Sequence, residues 1–130
     1  MSKSTRLAKA IEILAYIARH HPEPVTTKDV AASLGEHPAR VRQLVSRLVK
    51  NDILVTTRGS GGGSGLAIHP AEITLEKVFE AVEESSILAV VVPNSGSCGP
   101  VAKKIQDLFD SFETKLSKDL SSYSVAYFQD

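Results

Sequence analysis

The chain has one cysteine among its 130 residues, so no internal disulfide can staple it, and a reducing compartment suits it. There is no Cys-x-x-Cys, and its four histidines form no His-x-x-x-His, so the common spacings of a metal site are missing. No run reaches the roughly 18 apolar residues that a membrane span requires. The N-terminal MSKSTRLAKAIEILAYIARHH carries charge inside its apolar stretch, unlike a secretory signal. The expectation is a soluble, cytoplasmic protein. Net charge is also lacking, at a formal zero, but the zero hides a segregation. Residues 1–58 hold ten Lys/Arg against five Asp/Glu and carry +5, whereas residues 59–130 hold five against ten and carry −5. A basic half suited to a polyanion is joined to an acidic half with another task.

What is present is ordinary material for a globular fold, with 42% hydrophobic and 23% charged residues. Leu7, Ile11, Leu14 and Ala18 repeat at helical spacing over residues 5–20, with Ala10, Ala15 and Ile17 widening the face. His21-Pro22-Glu23-Pro24 ends that helix, because proline removes a donor and restricts its predecessor. Thr26 or Thr27 can cap a short second helix whose inner face is Val30, Ala31 and Leu34 and whose stop is Gly35. A third helix starts at Pro38 and buries Val41, Leu44, Val45, Leu48 and Val49, until Asn51-Asp52 breaks the pattern. Two helices joined by a tight glycine-containing turn read as a helix-turn-helix.

Directly after it, Ile53–Thr57 is a strand candidate and Leu66–Ile68 its return, with Arg58-Gly59-Ser60-Gly61-Gly62-Gly63-Ser64-Gly65 between them. Strands on both sides make this glycine tract a hairpin tip, not an interdomain tether. The expected fold is mainly α with a small β-hairpin wing. A winged helix-turn-helix DNA-binding domain would span residues 1–70. A connecting helix, a loop and a dimerisation helix would follow over residues 71–130. Within that second part, Thr74 caps a helix lined by Leu75, Val78, Phe79 and Val82. Ile87–Val92 reads as an extended packing segment and Asn94–Gly99 as a loop. From Pro100 past Leu120, the stripe Val101, Ile105, Leu108, Phe109, Phe112, Leu116 and Leu120 is nearly heptad. It is too long for so small a domain to cover, which makes a two-fold homodimer the default.

Catalysis finds little support. The glycine tract lacks the Lys-Ser/Thr of a P-loop and does not fit G-x-G-x-x-G. His20 and His21 are neighbours, hence on different faces of a helix, and Glu83-Glu84 have no partner residue to define a pocket. We therefore expect no enzyme, no metal and no cofactor. The requirements of duplex DNA recognition, in contrast, are met. On the outward side of the third helix, Arg40 and Arg42 can pair with guanine, Gln43 with adenine, and Ala39 with a thymine methyl. Ser46, Arg47, Lys50 and the cap at Thr26 and Thr27 are suited to phosphate. Arg58 can enter a minor groove, while Gly59, Gly61 and Gly62 let backbone approach the sugar-phosphate rail. The competing expectation is a winged helix that has lost DNA and serves as a protein-interaction module, since fold alone does not fix function.

At these residues the chain resembles a known family. Leu44-Val45-Ser46-Arg47-Leu48-Val49-Lys50-Asn51, running through Ile53-Leu54 to Arg58-Gly59-Ser60-Gly61-Gly62-Gly63, is similar to the signature of the Rrf-type winged-helix regulators. That family includes the iron–sulfur cluster regulator, the nitric-oxide-sensing repressor and the cysteine-metabolism repressor of bacteria. Ile73-Thr74-Leu75-Glu76-Lys77-Val78, then Ala81-Val82-Glu83, extend the likeness over residues 5–122. The resemblance implies a dimeric transcriptional regulator, in the leading reading a repressor, on pseudo-palindromic promoter DNA. It implies contacts at Ala39, Arg40, Arg42, Gln43 and Arg58, and dimerisation through the long C-terminal helix. Two departures stand out. Cluster-binding members carry three cysteines before the long helix, where this chain has Cys98 alone, so a clusterless subset is expected. Ser64 also stands where many members have an aromatic residue. Cys98, just ahead of a helix N-terminus and of Lys103-Lys104, is a candidate redox sensor.

Overall fold

The computed structural model describes residues 4–83 and 99–129. Helix α1 spans Arg6–His20, α2 Thr27–Leu34 and α3 Pro38–Lys50. Strands β1 (Leu54–Thr57) and β2 (Gly63–Leu66) form an antiparallel hairpin, and a 3-10 turn at Pro70–Glu72 leads to α4 (Leu75–Val82). Helix α5 (Gly99–Ser121) and a final 3-10 turn at Val125–Phe128 complete the fold. The architecture is mainly helical with one hairpin, as expected of a winged helix-turn-helix.

Local chemistry explains the boundaries. The Thr26 hydroxyl accepts from the Asp29 amide at 3.1 Å and so caps α2; the Thr74 hydroxyl does the same for α4, from the Lys77 amide at 3.2 Å. Gly35 ends α2 with φ +63, in the left-handed region that only glycine adopts freely. Helix α3 stops in a paired arrangement of its own. The Ile53 amide donates to Leu48 O at 2.9 Å and the Asp52 amide to Val49 O at 3.1 Å, with Asp52 left-handed at φ +61. Ile53 and Leu48 are both buried there.

One core joins the elements. Ile13, Leu14 and Ile17 of α1 meet Val30 of α2, Val41, Leu44 and Leu48 of α3, Leu54 of β1, and Val78 and Val82 of α4. Each such side chain contributes about 1.5–3 kcal/mol when fully buried. The buried face of α1 differs from the expected one: Ile13 lies inside, while Leu7 and Ile11 are half-buried. Helix α1 is the hub, contacted by α2, α3, α4, β2 and the C-terminal 3-10 turn, so its buried arc is broader than one stripe.

Two further sequence expectations change. The return strand is Gly63–Leu66, not Leu66–Ile68, so the glycines themselves form the ladder: Thr57 pairs with Gly63, Thr56 with Ser64 and Val55 with Gly65. Gly99 opens α5 and does not belong to a loop. The chain beyond α5 also turns back onto the core, where Thr74 and Ser124 form an isolated bridge. In it Leu75 N donates to Tyr123 O at 3.0 Å and Val125 N to Ile73 O at 2.9 Å, with Val125 fully buried. The extended reading of Ile87–Val92, the loop reading of residues 94–98 and the sensor reading of Cys98 fall outside the described residues.

Candidate nucleic-acid interface

The candidate interface is built on α3. His37, the residue before it, accepts the Ala39 amide on Nδ1 at 3.2 Å, and Pro38 occupies the first turn, where its missing N–H costs nothing. The sequence reading had no role for His37, though a polar side chain just before a helical proline is the available signal. Along α3, Ala39, Arg42, Gln43, Ser46 and Lys50 are all exposed. Their spacing of three, four, seven and eleven from Ala39 places them on one face of a helix with 3.6 residues per turn. Val41, Leu44, Val45 and Leu48 occupy the opposite, buried face. The result is a row of base-readable side chains on a rigid element: a guanidinium, a carboxamide, a hydroxyl and an ammonium beside a small methyl.

Arg40 and Arg47 do not join this row. They are seven residues apart, hence two turns along a separate flank, and both are half-buried. Arg40 Nη2 donates to Thr5 Oγ1, ahead of α1, and Arg47 Nη1 donates to Val82 O at 3.0 Å, at the end of α4. The charge of Lys9 is likewise shared, 3.5 Å from Glu12 and 3.7 Å from Glu36 in the turn between α2 and α3.

The hairpin rises from the C-terminal end of α3. Its tip is Arg58–Gly62, closed by the Gly62 amide donating to Gly59 O at 3.0 Å, with Gly59 at φ +93 and Gly61 at φ +76. Arg58 is exposed there. The return strand of the hairpin, near its tip, is held by a contact that periodicity could not disclose, because it involves a single residue. Val25 pairs with Ser64, N to O at 2.9 Å and in return at 2.7 Å, so the segment ahead of α2 is bridged to β2 at one residue. Ser64 is buried at this junction, 7% exposed, with both its backbone N–H and its C=O taken by Val25. Thr26, next to Val25, is exposed at the N-terminus of α2, and Thr27 is half-buried beside it.

Away from this face, the apolar stripe on α5 divides. Val101, Leu108 and Phe112 are 55%, 52% and 45% exposed, while Ile105, Phe109, Leu116 and Leu120 are half-buried. Ala102 is the buried residue of α5, and the helix packs along α4, where the Ser117 hydroxyl donates to Glu76 Oε2.

A family model for Rrf2, described as an iron-dependent transcriptional regulator, matches residues 3–130. YwnA of Bacillus subtilis (strain 168) is 36% identical over 126 residues, covering 94% of this chain and 92% of that protein. The HTH-type transcriptional regulator IscR of Aliivibrio salmonicida is 28% identical over 117 residues, covering 89% of this chain and 70% of that protein. Among solved structures, CymR, the global cysteine regulator of Bacillus subtilis, gives a TM-score of 0.69 at 22% identity over 100% of this chain and 99% of that one, a likeness of fold.

Proposed function

The chain belongs to the Rrf2 family of transcriptional regulators, and from that premise we propose that it is a homodimeric, sequence-specific reader of pseudo-palindromic promoter DNA that acts as a repressor. The observation that carries this reading is the exposed row Ala39, Arg42, Gln43, Ser46 and Lys50 on α3, whose opposite face is buried, followed at once by an arginine-tipped hairpin. In the major groove, Arg42 and Gln43 supply bidentate contacts to guanine and adenine. Ser46 and Lys50, further along, meet phosphate, as does the N-terminus of α2 at Thr26 and Thr27. Arg58 enters the neighbouring minor groove. A dimer seated on a promoter blocks that duplex to other proteins, which favours repression as its effect. No helix among the described residues is long and apolar enough to cross a membrane.

An iron–sulfur cluster requires about four protein ligands. The sequence offers one cysteine, and among the described residues no three His, Cys, Asp or Glu side chains gather as a metal site. This donor set does not fit the cluster of the family's iron-dependent members, and the proposed function uses none.

Selection of bound sites from random duplex DNA tests the reading. We expect a two-fold motif whose half-sites lie about 34 Å apart or a multiple of it. Arg58→Ala should weaken binding to the selected site by about 1–3 kcal/mol, measured by mobility shift. Failure to enrich any sequence at low salt would return the chain to the alternative of a protein-interaction module.

A further inference from the structure

Two consecutive residues at the end of α4 each hold a different helix. The Val82 carbonyl accepts from Arg47 Nη1 of α3 at 3.0 Å, in a partly buried contact. The Glu83 carboxylate takes the Ser4 hydroxyl on Oε1 at 2.8 Å and faces Arg6 Nη1 across 3.7 Å from Oε2, at the start of α1. The loop closes through Arg40, which returns from α3 to Thr5. We propose that this three-helix latch sets the roll of α3 about its own axis, and that Arg47 and Glu83 are positioning residues for DNA recognition that do not touch DNA. The proposal rests on the reading of α3 as the recognition helix.

The physical argument has two parts. The last carbonyls of a helix have no intrahelical donor and carry partial negative charge, so a guanidinium at Val82 O makes a charge-assisted, directional bond. Arg40 and Arg47 lie on one flank two turns apart, so α3 is tied at both ends of that flank. Rolling α3 to swing Arg42 and Gln43 out of register with base edges would stretch both ties at once. The apolar contacts of Val41, Leu44 and Leu48 do not resist such a roll equally, because they are non-directional. Glu83 acts one step removed: its side chain is 15% exposed and holds the start of α1 next to Val82, whose carbonyl holds α3.

The test uses the full chain on the DNA site that it selects, with affinity measured against salt from about 50 to 200 mM. Lys50→Ala, a phosphate contact in the reading above, should lower the log–log salt slope by about one per subunit. Arg47→Ala and Glu83→Gln should leave that slope unchanged. Both should lower specific affinity by about three- to thirtyfold while affinity for random duplex stays near wild type. Glu83→Gln keeps α3 untouched, so it stands if Arg47→Ala fails to fold. A slope reduced by Arg47→Ala would make it a phosphate contact and overturn the proposal. An unchanged ratio of specific to random affinity in both variants would do the same, leaving them with a purely structural role. A wild-type chain that prefers no sequence would instead remove the DNA-binding reading itself and the latch with it.

Discussion

At Gly62 and Gly63 the absence of a single carbon decides whether the hairpin closes. A Cβ on Gly62 would press into the Thr57 carbonyl oxygen, and one on Gly63 into the carbonyl oxygen of Val25. Both neighbours are backbone, held by the ladder and the Val25–Ser64 pair, so neither can give way without loss of hydrogen bonds. Gly65, two residues on, has nothing within 4 Å of its Cβ position. The same substitution at the two sites should therefore have opposite signs. Gly63→Ala is expected to cost about 1–3 kcal/mol as an overpacked contact, whereas Gly65→Ala should gain up to about 1 kcal/mol by restricting the unfolded chain. Urea denaturation of the two variants checks this. Equal midpoints would mean that the return strand is looser than the Val25 contacts imply.

Helix ends carry the next scale of argument, and α3 is the clearest case. Its closing residue, Asp52, is left-handed at φ +61, and Ile53 and Leu48 on either side of the stop belong to the buried core. Aspartate tolerates that conformation at some cost, and glycine removes the cost. Asp52→Gly should accordingly raise stability by about 0.5–1 kcal/mol, seen as a higher urea midpoint with an unchanged slope; a lower midpoint would show that the aspartate side chain contributes more than its backbone costs. Much of this level was legible beforehand, because caps and stops are written in single residues: Thr26, Gly35, Pro38, Asn51-Asp52 and Thr74 mark boundaries that the structure keeps. The hairpin was legible as a hairpin, but its register was not. Glycine has no side-chain alternation to read, and the partner that fixes Gly63 and Ser64 is Val25, some forty residues away in sequence. The face of α3 was legible for the same reason that α3 is a helix, namely its spacing. Which of its arginines face outward was not, since Arg40 and Arg47 are taken by Thr5 and Val82 O, partners that only the tertiary fold supplies.

For the whole molecule, the distribution of apolar surface bears on how many copies act together. Helix α5 is 23 residues long, and its one side lies along α4, yet Val101, Leu108 and Phe112 remain about half exposed. With half-buried Ile105 they fall at steps of four, three and four, the spacing of a seam that packs against another helix. In the proposed homodimer, a second copy of α5 across a two-fold axis would bury each of these residues twice, once in each protomer. Fully burying a leucine or phenylalanine contributes about 1.5–3 kcal/mol, so a charge placed at one position removes twice that and adds two like charges at the axis. Phe112→Asp should therefore shift the chain from dimer to monomer in sedimentation equilibrium at micromolar concentration, while the helix content of the isolated protomer, whose core lies elsewhere, stays near wild type. The DNA consequence follows from linkage of the two half-sites. A dimer holds its second α3 at high effective concentration once the first has bound, and a monomer does not, so affinity for the two-fold site should fall by about a hundredfold or more. Affinity for a single half-site should change little. A Phe112→Asp variant that remains dimeric would move the interface off this stripe, and one that becomes monomeric yet binds the full site as tightly as wild type would remove the dimer from the mechanism of recognition.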